Sequence, residues 1–119
     1  MARLVMPILQ NAALAVIDAR KFTSYCLNPD SRQGRHKARV FKTALGYDLG
    51  NYLDLIDFVR KGILTQEAEY QGETAHGRRW RVDLTITGPS GRATVRTSWL
   101  YEKGNDVPRL TTAYVISKR

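Results

Sequence analysis

Cys26 is the only cysteine among 119 residues. An internal disulfide and a cysteine cage for zinc are therefore excluded, and a small buried hydrophobe is the ordinary use of a single such thiol. Long apolar runs are missing as well. The stretch 4–9 is interrupted by Pro7 and falls far short of the roughly 20 residues that cross a bilayer, so no membrane span, no membrane partner and no signal peptide are expected. Repeats, low-complexity tracts and Gly/Ser linkers are lacking too, which fits one domain over 1–119 with one core. There is no His-x-x-x-His pair, no acidic cluster at loop spacing and no Gly-rich phosphate loop with lysine. No metal and no cofactor are expected.

Positive charge, by contrast, is abundant: 19 Lys and Arg stand against 11 Asp and Glu, a net charge of +8. Each lysine or arginine that meets a phosphate displaces a counterion, so nucleic acid is the favoured partner. An acidic protein is the alternative.

The pattern changes once, near Gly62, from helical (1–62) to stranded (63–119). Asp18 is suited to cap a short helix over 19–27 that buries Phe22, Tyr25 and Cys26, and the run Asn28-Pro29-Asp30-Ser31 makes a turn. A second helix over 34–45 stops at Gly46. A third, over 52–61, sets Tyr52, Leu55, Ile56 and Val59 on one face and stops at Gly62.

Residues 80–87 alternate, with Trp80, Val82, Leu84 and Ile86 on one face and Arg81, Asp83, Thr85 and Thr87 on the other. If Gly88-Pro89-Ser90-Gly91 is a hairpin loop, Thr87 pairs with Arg92, Ile86 with Ala93, Leu84 with Val95, Val82 with Thr97 and Trp80 with Trp99. The apolar faces then coincide, whereas a slip of one residue would set Trp99 against polar side chains. A turn at 103–106 leads to a strand over 109–116, which sets Arg96 near Tyr114 and Ser98 near Thr112. A further strand is expected within 66–70, joined to Trp80 by a polar loop over 72–77. The expected fold is α+β, with N-terminal helices packed on a C-terminal four-stranded antiparallel sheet.

Within the second helix Lys37 falls in the apolar arc of Ala38, Val40, Phe41, Ala44 and Leu45. A lysine there must snorkel, pair with an acid or hold an anion. His36, Arg35 and Arg39 surround it and complete a cationic corner able to clamp a phosphate. On the polar sheet face the register gathers Arg81, Asp83, Arg96, Ser98, Thr112 and Tyr114, and Asp83 opposite Arg96 also fits a plain cross-strand ion pair. The other face offers Thr97 and Thr111, so which face is wet stays open. Arg78, Arg79 and Arg81 could form a phosphate track beside Trp80 and Trp99, both expected in the core. His76, in the preceding loop, is a conceivable acid/base partner for His36. Phosphodiester cleavage by such residues would be metal-free, which RNA allows because its 2′-hydroxyl attacks the adjacent phosphorus.

The runs 21–30 (KFTSYCLNPD), 34–46 (GRHKARVFKTALG), 82–91 (VDLTITGPSG), 95–99 (VRTSW) and 107–115 (VPRLTTAYV) resemble a small domain found at the C-terminal tips of contact-dependent inhibition and other polymorphic bacterial toxins. The same domain occurs as free-standing proteins encoded beside an antitoxin. It is similar in architecture to the barnase, EndoU, colicin and RelE group of metal-independent RNases. The resemblance implies an endoribonuclease toxin, with tRNA one candidate substrate, whose helix lysine is Lys37, strand pair Arg96 and Thr97, and last-strand residues Thr111, Thr112 and Tyr114. It favours Lys37 over His36 as the indispensable group. It also implies action in the bacterial cytoplasm, as a free protein or as the tip of a larger secreted toxin. The implied partner is an immunity protein or antitoxin, expected to be acidic.

Overall fold

The structure is a computed structural model that describes residues 7–118. The first part of the apolar stretch 4–9 lies outside the described residues. From Pro7 the chain runs through a short 3-10 turn, Ala12–Leu14, to Val16, which makes a parallel bridge with Arg109. None of the described helices is long and apolar enough to cross a membrane.

The helix expected over 19–27 takes a different form. Asp18 caps it as anticipated, its Oδ1 accepting the Arg20 N–H at 3.0 Å, but the chain then widens into a π-helical turn, Phe22–Cys26. The Leu27 N–H reaches back five residues to the Phe22 carbonyl at 2.9 Å. The wider turn buries both Phe22 and Cys26 and leaves Tyr25 half-buried at its rim. The turn expected at 28–31 is present, with the Ser31 N–H on the Asn28 carbonyl and the Asp30 N–H on Asn28 Oδ1.

Helix α1, Arg35–Leu45, ends as expected at Gly46, whose φ of 82° suits the left-handed position after a helix. Helix α2 is Tyr52–Gly62. Gly62 is its last residue rather than a stop beyond it, and its lack of a side chain serves packing: a Cβ there would meet Leu84 Cδ2 at 2.8 Å.

Strands β1 (Glu69–Thr74), β2 (Gly77–Gly88), β3 (Gly91–Glu102) and β4 (Arg109–Lys118) form one antiparallel sheet in sequence order. Strand β1 lies later than the stretch 66–70. The Gln66 N–H still bonds the Gly62 carbonyl and the Ala68 N–H is taken by the Pro7 carbonyl, so the backbone is free for the ladder only from Glu69. The expected polar loop over 72–77 is instead largely strand, ending in a tight turn after Thr74.

The hairpin register is the one the alternation requires, from Thr87 opposite Arg92 to Trp80 opposite Trp99, and pairing continues to Gly88 opposite Gly91. Across β3 and β4, Arg96 faces Tyr114 and Ser98 faces Thr112. A bulge between Ser98 and Trp99 carries the register on to Leu110, leaving Thr111 as the extra residue.

The helices cover the face bearing Val82, Leu84, Ile86, Val95, Trp99 and Leu110, against Phe22, Phe41, Leu45, Leu55 and Val59, which together form one core. Arg79, Arg81, Asp83, Arg96, Ser98, Thr112 and Tyr114 lie on the opposite face. Thr97 is the polar member of the covered face and is fully buried. Its hydroxyl donates to the Val82 carbonyl at 2.7 Å and accepts the Trp99 indole N–H at 2.8 Å. Tyr101, 2% exposed, donates to the Gln10 carbonyl at 2.7 Å, and burial pushes its phenol up from 10.0 to about 12.

Thr97→Val keeps the shape but strands the indole N–H of Trp99, a loss expected to cost about 1–3 kcal/mol. Chemical denaturation checks this, and an unchanged midpoint would refute the role. For Tyr101 the folded chain holds its proton to higher pH than the unfolded chain, so its contribution is complete below pH 10 and declines as pH rises from 10 toward 12. Wild type is expected to lose more stability than Tyr101→Phe between pH 9 and pH 11, read from denaturation midpoints.

Candidate functional site

The site is built where the first turn of α1 meets the π-helical turn. Gly34 makes the contact possible, because a Cβ there would fall on the Tyr25 carbonyl oxygen and crowd the Tyr25 ring. The Ser31 hydroxyl accepts the Gly34 N–H at 3.0 Å and the Gly34 carbonyl accepts from Ala38, which starts the helix at this point. One residue pattern then follows: Ala38 and Phe41 turn inward, His36 outward, and Lys37 lies half-buried between them.

Lys37 snorkels along this boundary. Its Nζ donates to the Tyr25 hydroxyl and lies 5.6 Å from the centre of the Tyr114 ring. No carboxylate pairs with it among the described residues. The phenol oxygen and the electron-rich ring face compensate the desolvated ammonium only in part, leaving donor capacity for an anion.

Behind Tyr114 stands Arg96. Its guanidinium makes a bidentate pair with Asp83, Nε to Oδ1 and Nη2 to Oδ2, both 3.0 Å. That pair raises the Arg96 pKa above its ordinary value, and the neighbouring Tyr114 hydroxyl adds to the shift. The cross-strand ion pair is thus real, and it also orients Arg96 toward Tyr114.

His36, Lys37 and Tyr114, with Gln33, Val40 and Val115, line a recess of about 280 Å³ at the β4 edge. Gln33 also lines a second, larger cleft of about 670 Å³, where Tyr25, Lys21, Ser24, Thr111 and Thr112 are found. The Asp18–Arg20 ion pair stands at that cleft, and Arg20 holds the Asp18 carboxyl down to about 2.

The other expected residues lie apart from this corner. Thr97 is enclosed in the core, and the Thr111 hydroxyl donates to the Ser98 carbonyl at 3.1 Å. Arg35 and Arg39 line a separate groove with Leu27, Pro29 and Ala38. Arg81 pairs with Glu69 at 2.8 Å and Arg79 is exposed on the same sheet face. Arg78 lies against the Tyr101 ring and near Asp106 instead, so the three arginines do not form one track. His76 sits in the β1–β2 turn, at the sheet edge opposite β4, and is not brought to His36. Trp99 is core, whereas Trp80 is half-buried with its ring 5.2 Å from that of Tyr70.

Two residues of the corner escape sequence reasoning. Tyr25 is assigned there to the core alone, although its phenol at the rim of an apolar stripe is the signal for a polar tip at a boundary. Gln33 carries no signal in sequence. Among the described residues no group of three or more His, Cys, Asp or Glu could hold a metal ion.

Cys26 adjoins the same corner but is no nucleophile: burial raises its thiol pKa, against smaller opposing effects from the Ala113 backbone, the Thr112 side chain and the Lys37 charge. Ellman's reagent at neutral pH is expected to react only as fast as the protein unfolds. Rapid labelling of the native protein would contradict the burial.

No curated protein matches the chain. The profile of a family described as a domain of unknown function, DUF6883, matches residues 8–117, and the chain belongs to that family.

Proposed function

We propose that this protein is a ribonuclease that works through its side chains alone, with the recess at the β4 edge as its active site. The observation that carries this function is Lys37: a half-buried ammonium that pairs with no carboxylate among the described residues, set between an exposed histidine and a tyrosine beside Arg96. A phosphodiester is the ligand class that suits such a corner, and the net charge of +8 favours its approach.

In the proposed reaction the scissile phosphate sits against Lys37, which stabilises the extra negative charge of the phosphorane. His36 takes the proton of the 2′-hydroxyl as its oxygen bonds to phosphorus. Tyr114, beside Arg96, gives its proton to the departing 5′-oxygen as the P–O5′ bond breaks. The products are a 2′,3′-cyclic phosphate and a free 5′-hydroxyl. Arg79, exposed on the same sheet face, adds positive charge on the approach to the site, whereas Arg81 is paired with Glu69. tRNA is one candidate substrate.

A nuclease of this kind would be toxic in the bacterial cytoplasm, whether produced there or delivered as the tip of a larger protein. A neutralising antitoxin or immunity protein would then be needed, and an acidic one would complement this surface.

Purified protein incubated with total RNA in EDTA is expected to yield discrete fragments ending in cyclic phosphate. Lys37→Ala should lower the rate by about 100-fold or more, and Tyr114→Phe by about 100-fold to 10,000-fold. A mobility shift with intact RNA would replace the enzyme by a non-catalytic RNA-binding module. Folded Lys37→Ala protein with full cleavage activity would remove Lys37 from the site.

A further inference from the structure

The larger cleft has no task in the reaction just described, yet it shares Gln33 with the recess, and its Tyr25 wall carries the hydroxyl that holds Lys37. A ligand anchored by its phosphate at Lys37 would therefore have its neighbouring group beside this opening. The volume, about 670 Å³ against about 280 Å³, is ample for a heterocycle and its sugar.

The lining of the cleft is mainly short, neutral and polar. Ser24 and Gln33 make no side-chain hydrogen bond among the described residues, and Gln33 offers both a donor and an acceptor. Thr112 Oγ1 is buried without a hydrogen-bond partner of normal geometry, beside the Cys26 thiol. A buried hydroxyl left unpaired is costly and rare in a native protein. A turn about χ1 would bring it to the cleft its residue already lines. The nearby charges are largely settled, since Asp18 and Arg20 neutralise each other and Lys21 is left for a sugar or phosphate oxygen. The π-helical turn supplies the Ser24 and Tyr25 side of the cleft, a widening often found at functional sites.

We infer that this cleft is a nucleobase pocket, which reads one base next to the phosphate held at Lys37 through the Gln33 amide and the Thr112 hydroxyl, with Tyr25 as its aromatic wall. The pocket rests on the ribonuclease reading for its place in the reaction, but base recognition can be measured without cleavage. It gives the enzyme sequence preference at one position of the RNA. Shape alone does not discriminate bases, whereas a site built to hydrogen-bond one base leaves its own polar groups unpaired when another is bound.

The test is equilibrium binding of the four nucleoside 3′-monophosphates and the four 5′-monophosphates to the purified protein, followed by calorimetry. Wild type is expected to prefer one base in at least one series. Gln33→Ala and Thr112→Val should each weaken that nucleotide about three- to tenfold, the loss of one hydrogen bond, and flatten the preference. Thr112→Val removes an unpaired group and preserves shape, so its thermal midpoint should not fall; a merely structural threonine would leave binding untouched. Equal affinities for all bases, or a preference that survives both variants, overturns the pocket and leaves the cleavage assay to judge the ribonuclease separately. Failure of every nucleotide to bind overturns it as well. Intact RNA together with base-selective binding lost in Gln33→Ala would instead retire the nuclease and keep the pocket.

Discussion

The start of α1 touches the backbone of the π-helical turn at Tyr25, and only a residue without a Cβ allows the two to approach so closely. Everything at the β4 edge depends on that seat. Gly34 fixes where the helix begins, so Lys37 emerges one turn later beside the Tyr25 phenol. The other end is held by the hairpin, where the Ser90 N–H bonds the Leu45 carbonyl at 3.0 Å. Pinned at both ends, α1 buries Phe41 and Leu45 in the core and keeps its lysine along the rim. A lysine wholly inside would pay a large desolvation cost, and one wholly outside would hold no particular geometry.

The two sheet faces solve opposite problems with similar residue types. On the covered face Thr97 satisfies its hydroxyl twice, once with a carbonyl across the strand and once with the Trp99 indole, and so closes the core around a polar group at little cost. On the open face Arg96 is satisfied on one side by Asp83 and directed on the other toward Tyr114. The first arrangement leaves nothing for a ligand. The second leaves a phenol supported by a cation, at the strand edge where the helix brings a further cation.

Strand β4 is the hinge between these two environments. Its bulge at Thr111 changes which face the next residues address, so Leu110 enters the core while Thr112 turns toward the cleft. The orphan hydroxyl of Thr112 and the half-buried Lys37 both leave local polar satisfaction incomplete near the β4 edge. Incomplete satisfaction is costly for folding and useful for binding, and both residues line open volume.

The period-two alternation around Trp80 and the hairpin residues determined the β2–β3 register by themselves, because only one pairing buries the apolar side chains together. The register in turn set Arg96 beside Tyr114 and Asp83, and the helical arc of α1 put Lys37 at its own edge. The widened turn at Phe22–Cys26 was not legible, since a π-turn and an α-turn bury nearly the same residues and differ by one hydrogen-bond step. Nor was the late start of β1, which depends on where the Pro7 carbonyl takes the Ala68 N–H. Which face is wet was decided only in three dimensions: threonines at 97 and 112 look alike in sequence, and it is the seating of α1 and the bulge in β4 that enclose one and turn the other toward the cleft. The union of Tyr25 and Tyr114 with Gln33 and Lys37 is likewise tertiary, because the close approach at Gly34 brings the start of α1 to Tyr25 and the packing of α1 on β4 brings it to Tyr114.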